Sequence, residues 1–182
     1  MRKNGFTLIE LVVVIVLLGI LAVTAAPRFL NLQTDARNAA LEGLKGSIES
    51  GLGIGYGKMA VAGLESLSYV TSKKGDASST AHIAEIPIPG CEDRACTFRD
   101  GYPEAGFYTI TTLVDGINKD YEKTKDWGII RQNDNEGITI TSVKNLDYSV
   151  HPPVLINTNC YLKYSNLTST ESPYTIDVVP CL

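Results

Sequence analysis

The chain has 182 residues, and its 20 acidic side chains outnumber its 16 basic ones to give a net charge of −4. That length suits one globular domain with a sizeable core, and the acidic balance argues against a dedicated nucleic-acid binder, which would carry a basic surface. The mean hydropathy of +0.04 conceals a run, Leu11–Val23, that contains no polar side chain. Because no comparable run occurs elsewhere, the composition excludes both a polytopic membrane protein and an ordinary cytosolic domain.

The first part of the chain has the layout of a membrane-inserted segment. Arg2 and Lys3 precede the apolar run, and no further basic residue follows until Arg28. This asymmetry predicts that the N-terminus stays in the cytoplasm while the remainder of the chain is translocated. From Phe6 to Ala26 a helix would be about 31 Å long, which matches a bilayer core of about 30 Å.

Three interpretations of this segment compete: a secretory signal cut after Ala26, a plain single-span anchor, and a leader that is cut early so that the apolar part is kept. Glu10 distinguishes them, since a carboxylate in a membrane helix costs roughly 2.5–3.5 kcal/mol and therefore needs a partner. The apolar segment contains no cation to pair with it. A cut between Gly5 and Phe6 would create a free α-amine, which in a staggered assembly could neutralise Glu10 of a neighbouring subunit. The third interpretation is therefore favoured.

The segment Gly5–Glu10, followed by the apolar run, resembles the prepilin peptidase site of type IV pilins and of type II secretion pseudopilins. This resemblance implies that residues 1–5 are a leader, that Phe6 becomes the N-methylated first residue, and that Glu10 acts in assembly together with Phe6. It also implies a helix break between Gly19 and Pro27 in the assembled filament. Further stretches resemble the mannose-sensitive haemagglutinin (MSHA) pilins: Ala22–Gln33, Ala36–Gly46, Gly101–Pro103 and Asn159–Tyr161.

By this resemblance the protein is a major structural pilin with no catalysis and no cofactor of its own. Its expected partners are identical subunits, a prepilin peptidase that also N-methylates, an inner-membrane assembly platform, cytoplasmic motor ATPases, and host or surface ligands that the sequence does not identify. We expect a single-pass inner-membrane form with a periplasmic head, and after assembly an extracellular filament for attachment, biofilm formation and motility. The alternatives are a minor pilin, a pseudopilin of a type II secretion system, and a secreted soluble binding protein.

After the apolar segment an amphipathic helical pattern continues, so we expect one helix from Phe6 to about Ala62. Glycines between Gly43 and Gly57 weaken this helix, because each costs near 1 kcal/mol relative to alanine. A sheet packed closely on that face is favoured over a membrane-type dimer motif. The predicted divisions are a leader (1–5), an apolar helix (6–26), an amphipathic helix (27–62) and a head (63–182). The apolar residues that form the amphipathic pattern are Phe29, Leu32, Ala36, Ala40, Leu44, Ile48 and Leu52.

The head is predicted to be α+β, with an antiparallel sheet. Residues 64–101 have the composition of a loop. Beyond Pro103, apolar residues at helical spacing predict a short second helix that starts with this proline, although their β-branching leaves a strand open. Predicted strands at 127–132 and 138–143 flank a polar hairpin turn, and two more lie at 160–164 and 174–179. The residues at helical spacing are Phe107, Ile110, Leu113, Val114 and Ile117.

Four cysteines lie beyond the membrane segment, in a compartment that is oxidising. If the last two predicted strands pair antiparallel with Leu162 opposite Val179, then Cys160 and Cys181 face each other and form a disulfide. A second bridge, Cys91–Cys96, follows by default. The type IV pilin resemblance also implies a disulfide that closes the C-terminal region, which pseudopilins usually lack.

The remaining polar residues suggest no enzyme, since the sequence contains no nucleotide-binding loop and no nucleophile elbow. A zinc site is disfavoured, because the cysteines lack paired C-x2-C spacing and His82 and His151 form no ligand pair. The acidic turn Asp134–Glu136 could ligate calcium, but a polar hairpin needs no ion and a simple turn is favoured. Trp127 could stack on a sugar, although a lone tryptophan that opens an apolar strand is more often part of the core.

Overall fold

The computed structural model describes residues 7–72, 82–92, 95–119, 121–131, 137–166 and 173–182. The chain falls into two compact units, residues 1–37 and residues 38–182. One long helix, α1 (Leu8–Val61), begins in the first unit and continues into the second. Its last residue agrees with the helix end predicted near Ala62.

Between Leu8 and Val23, α1 is apolar and uncovered. Its large apolar side chains from Leu8 to Val23 are 42–81% exposed. Residues Leu8–Ala25 are long and apolar enough to cross a membrane. The helix continues through the positions of Gly19 and Pro27, so the break expected there remains a prediction for the assembled filament.

The second unit follows α1 with a second helix and short strands. The predicted α+β class is confirmed, with a sheet that sits beside the helices rather than alternating with them. The elements are β1 (Val70–Thr71), β2 (His82–Ile83), β3 (Thr97–Arg99), β4 (Tyr102–Pro103), α2 (Phe107–Leu113), β5 (Trp127–Arg131), β6 (Gly137–Ser142), a 3₁₀ turn (Val143–Asn145), β7 (Leu146–Asp147), β8 (Val154–Leu155), β9 (Tyr161–Ser165) and β10 (Thr175–Val179).

The main sheet has the strand order β10-β9-β6-β5 and is antiparallel throughout. Its four strands lie within one or two residues of the four predicted ones. The turn predicted between β5 and β6, with Asp134–Glu136, lies outside the described residues. One face of this sheet packs with α1 and α2 to form the main core, which comprises Leu44, Ile48, Leu52, Phe107, Ile110, Val114, Ile117, Ile129, Ile138, Ile140, Leu162 and Tyr164.

The predicted register of β9 and β10 is wrong by one residue. Leu162 lies opposite Val178, not Val179. Because side chains alternate between the faces of a strand, a slip of one residue would turn a whole strand over. The observed register keeps Val178 on the core face with Leu162, while Asp177 lies opposite Lys163 on the other face. Burial of the apolar face therefore decides the register.

The segment predicted as a loop, residues 64–101, instead contributes three strands to a second, smaller sheet. Its order is β2-β1-β3-β4, and β1 and β2 run parallel. The strands are two or three residues long, too short to show a period of two in the sequence. They hold together because they enclose a small core of their own, made of Met59, Val70, Ile86, Ile88, Cys91, Cys96 and Phe98.

Helix α2 is shorter than predicted at both ends. Pro103 does not begin the helix but pairs with Phe98 in the small sheet, and the N-cap position is Gly106. At the other end, Val114 has an extended backbone, and Ile117 forms a bridge to Trp127 at the edge of the main sheet. The apolar residues at helical spacing therefore lie in a helix, an extended segment and a bridge, and all of them contribute to one core.

Two glycines of α1 permit the close approach of other elements, and only one of the two faces a sheet. A Cβ atom on Gly51 would lie 2.7 Å from a methyl group of Val114, directly after α2. A Cβ atom on Gly55 would lie 3.1 Å from both Leu113 of α2 and Pro103 of the small sheet. The expectation of a sheet on this face is thus wrong for Gly51, where the C-terminal end of α2 packs instead.

Candidate assembly site

The start of α1 is closed by a reciprocal pair of hydrogen bonds between Thr7 and Glu10. The Thr7 backbone N–H donates to Glu10 Oε2 at 2.8 Å, and the Glu10 backbone N–H donates to Thr7 Oγ1 at 3.3 Å. The Thr7 hydroxyl also donates to Glu10 Oε2 at 2.8 Å. This is a capping box, in which each side chain satisfies a backbone donor that the first helical turn leaves unpaired.

The sequence predicted a role for Glu10, whereas the role of Thr7 was not predicted. The missed signal is the spacing Thr7-x-x-Glu10 ahead of an apolar run, which by itself predicts a helix start. The structure adds that the Glu10 carboxylate has hydrogen-bond donors within its own chain. A carboxylate has about four lone-pair sites, so Glu10 can accept a further donor while Thr7 stays in place.

The predicted cleavage site, Gly5 and Phe6, lies outside the described residues. The cut, the methylation of Phe6 and the role of Glu10 in assembly therefore stay predictions. What the structure does describe is the surface that follows: a continuous apolar helix from Leu8 to Val23 that nothing within the first unit covers.

Both disulfides of the second unit join the predicted pairs of cysteines. Cys91 and Cys96 are bridged with a Cα–Cα distance of 5.4 Å, and Cys160 and Cys181 with a distance of 4.1 Å. Cys91 and Cys96 are buried in the small core. The second bridge is reached by a different route from the predicted one, because in the observed register Cys160 donates its backbone N–H to Pro180 and not to Cys181.

A group of polar side chains surrounds the bridge between Cys160 and Cys181. Asn38 of α1 bonds to both backbone polar groups of Cys181. Thr141 Oγ1 of β6 donates to the Cys160 carbonyl at 2.7 Å, and the buried Asn145 donates to Thr141 Oγ1 at 3.2 Å. The sequence gives no signal for these asparagines, because an isolated Asn has the same appearance in a surface loop as in a buried network.

The other polar residues singled out from the sequence form no common site among the described residues. Trp127 is half-buried and packs against the main core, as its strand position predicts. The rings of His151 and Tyr121 meet edge to face, with 4.8 Å between their centroids. His82 lies in the exposed strand β2. Burial raises the pKa of Tyr164, whose hydroxyl donates to the Pro103 carbonyl.

Comparison with known proteins matches the N-terminal part of the chain. Residues 1–26 match the family model described as the prokaryotic N-terminal methylation motif. Together with this motif, the long apolar helix and the antiparallel sheet of the head are consistent with the α+β fold of type IV pilins.

A particular similarity is to the type IV narrow pilus major component PilA5 of Thermus thermophilus, with 44% identity over 54 residues. The match covers 30% of this chain and 47% of the relative, so the chain spans about half the length of the curated relative it matches. No solved structure matches the chain significantly. The resemblance to the MSHA pilins stays a prediction.

Proposed function

We propose that this protein is the major subunit of a type IV pilus of the MSHA type, assembled through its N-terminal helix into a surface filament that serves attachment and biofilm formation. The observation that carries the proposal is the apolar surface of α1 from Leu8 to Val23, which is exposed along its whole length and starts with one carboxylate. The methylation motif and the similarity to a pilus component support it.

The exposed helix cannot remain in water. Fully burying one Leu, Ile or Val side chain stabilises by about 1.5–3 kcal/mol, so covering even five of them stabilises by roughly 7–15 kcal/mol. A bilayer covers this surface before assembly, and copies of the same helix cover it in a filament core. Transfer between the two environments keeps the apolar surface out of water at every stage.

Glu10 then sets how neighbouring subunits align. Its carboxylate is costly in an apolar environment unless it is paired, and the capping box with Thr7 meets only part of this need. A cut between Gly5 and Phe6 supplies an α-amine at the start of each subunit. Pairing this amine with Glu10 of a neighbour favours one axial step over others, because every other step leaves a charge without its partner.

The proposal implies partners and a route. A prepilin peptidase and N-methylase acts on Gly5 and Phe6 at the inner membrane. An assembly platform and cytoplasmic motor ATPases then move the subunit, anchored by its single apolar helix, into an extracellular filament. Host or surface ligands would meet the second unit, residues 38–182.

Mass spectrometry of protein sheared from the cell surface tests this proposal. We expect a chain that starts at Phe6, is 14 Da heavier than the unmodified peptide because of one methyl group, and contains both disulfides. A mature chain that starts after Ala26 would show a secreted soluble protein and overturn the proposal. A full-length chain that stays in the membrane fraction would identify a plain anchor.

The methylation motif also fits a pseudopilin that works as a piston in protein secretion. Negative-stain microscopy separates the two functions, since a major pilin produces long surface fibres that disappear when its gene is deleted. Fibres that persist after deletion, with reduced protein secretion instead, would favour the pseudopilin. The bridge between Cys160 and Cys181 supports the pilus, because the resemblance associates such a bridge with pilins.

A further inference from the structure

The carboxyl-terminal end of the chain is joined to α1 through one side chain, that of Asn38. Its Oδ1 accepts the backbone N–H of Cys181 at 2.7 Å, and its Nδ2 donates to the Cys181 carbonyl at 3.4 Å. Asn38 thus satisfies both backbone groups of a single residue, as a neighbouring strand would. Cys181 is only 5% exposed, so water competes poorly for these bonds.

The disulfide holds Cys181 beside Cys160. Beyond β10, Cys181 is held by its bond to Cys160, and Cys160 is itself fixed on two sides. Its carbonyl accepts from Thr141 Oγ1 of β6 at 2.7 Å, and its N–H donates to the Pro180 carbonyl at 3.2 Å. A continuous path of bonds therefore runs from β6 through the disulfide to Asn38 on α1.

We propose that Asn38 turns the Cys160–Cys181 disulfide into a redox-dependent clamp that fixes the carboxyl-terminal segment to α1, with Asn38 as its positioning residue. When the bridge closes, the two thiols give up two protons and two electrons to the disulfide of a thiol-oxidising protein, which becomes a dithiol. The closed bridge holds the Cys181 backbone beside Asn38. With the bridge open, Cys181 leaves this position and Asn38 bonds to water.

The clamp does not depend on the proposed pilus function, so the two can fail separately. The oxidised chain carries the clamp whether or not it polymerises. The clamp fixes the last residues of the chain to α1 only after translocation, because disulfides persist in compartments outside the cytoplasm.

A double-mutant cycle on the full chain in detergent micelles tests the coupling. In the oxidised parent protein, Asn38→Ala removes two hydrogen bonds, so we expect about a tenfold lower ratio of folded to unfolded protein. In the Cys160→Ala/Cys181→Ala background, the same substitution should change this ratio by less than about twofold. In the Cys91→Ala/Cys96→Ala background, which leaves the clamp intact, the tenfold loss should return.

Equal effects of Asn38→Ala in the parent and in the Cys160→Ala/Cys181→Ala background would overturn the proposal, and so would no effect in the parent. If the variant without the second bridge fails to fold, amide hydrogen exchange at Cys181 in the parent decides the question. Asn38→Ala should speed exchange there about tenfold. Asn38→Asp keeps the acceptor oxygen and should restore most of the protection.

Reduction completes the test. Dithiothreitol passes two electrons and two protons to the sulfurs of Cys160 and Cys181 and becomes a cyclic disulfide. In the parent protein, the Cys181 amide should then exchange as fast as in Asn38→Ala, while exchange at Ile140, in the centre of the main sheet, stays slow. A Cys181 amide that remains protected after reduction would show that Asn38 acts without the disulfide.

Discussion

Replacing Gly51 with alanine should destabilise the second unit, whereas the same replacement at Gly53 should stabilise it. A Cβ atom at Gly51 would lie 2.7 Å from Val114 Cγ2 and 3.5 Å from the Leu113 carbonyl oxygen. Favourable contacts between carbon atoms begin near 3.5 Å. Val114 is 5% exposed and branched at Cβ, so its methyl group cannot swing into solvent. At Gly53, no atom lies within 4 Å of the added carbon.

The magnitudes follow from two opposing effects. Alanine is better than glycine in a helix by about 1 kcal/mol, and this gain applies at both positions. At Gly51 the added methyl group also overpacks the contact with Val114, which costs about 1–3 kcal/mol. We therefore expect Gly51→Ala to lose roughly 0–2 kcal/mol and Gly53→Ala to gain about 1 kcal/mol, so that the free energies of unfolding of the two variants differ by about 1–3 kcal/mol.

Chemical denaturation of the full chain in detergent micelles measures this difference. Trp127 reports unfolding by its fluorescence, since it is the single tryptophan and packs against the main core. Adding Val114→Ala to Gly51→Ala should recover part of the lost stability by making room for the methyl group. Equal denaturation midpoints for Gly51→Ala and Gly53→Ala would refute the reasoning, because they would mean that α1 and Val114 are not in close contact.

Substitutions at three further positions test the site and the core. Glu10→Ala should leave cleavage intact but abolish fibres, as seen by mass spectrometry and microscopy, and normal fibres would contradict the pairing of Glu10 with a neighbouring amine. Thr7→Val removes the hydroxyl and should destabilise the start of α1 by about 1 kcal/mol. Amide hydrogen exchange in the first turn of the micelle-bound protein should then be faster, whereas Thr7→Ser, which keeps the hydroxyl, should exchange as slowly as the parent. Burial raises the pKa of Tyr164 in the folded protein. Above about pH 10 the unfolded chain therefore loses the Tyr164 proton while the folded chain keeps it, so the stability of the fold decreases as the pH rises above this value. At pH 7, Tyr164→Phe should cost about 1 kcal/mol of stability, because the Pro103 carbonyl loses the donor that Tyr164 supplies. Above about pH 10, this variant should lose less stability than the parent protein, because phenylalanine has no proton to lose. The same alkaline loss in both proteins would exclude Tyr164 as its source.

Much of the candidate site was predictable because its signals are local. The basic start, the single carboxylate and the apolar run lie next to one another in the chain, and each has a direct energetic meaning in a membrane. The capping residue Thr7 could also have been predicted, since its spacing to Glu10 is a sequence signal. Asn38 could not, because its partner Cys181 lies at the other end of the chain.

The head shows where local patterns fail. Strands of five or six residues were predicted within one or two residues of their position, whereas the two- and three-residue strands of the small sheet were missed. A strand that short carries too few residues to establish alternation, and its pairing partners are set by the burial of Met59 and Phe98. Helical spacing from Phe107 to Ile117 likewise predicted a longer helix, because one core can be lined by helix, loop and bridge in succession.

The sequence by itself determined the apolar helix, the position of its carboxylate and the α+β class. These features depend on composition and on residues a few positions apart. The pairs of cysteines were also predicted, but the bridge between Cys160 and Cys181 joins residues 21 positions apart and was predicted through a register that the structure corrects. Only the tertiary structure decided the register of β9 and β10, the close contact between Gly51 and Val114, and the attachment of Cys181 to Asn38. Each of these depends on which distant surfaces are buried together, and burial is a property of the folded chain rather than of any segment of it.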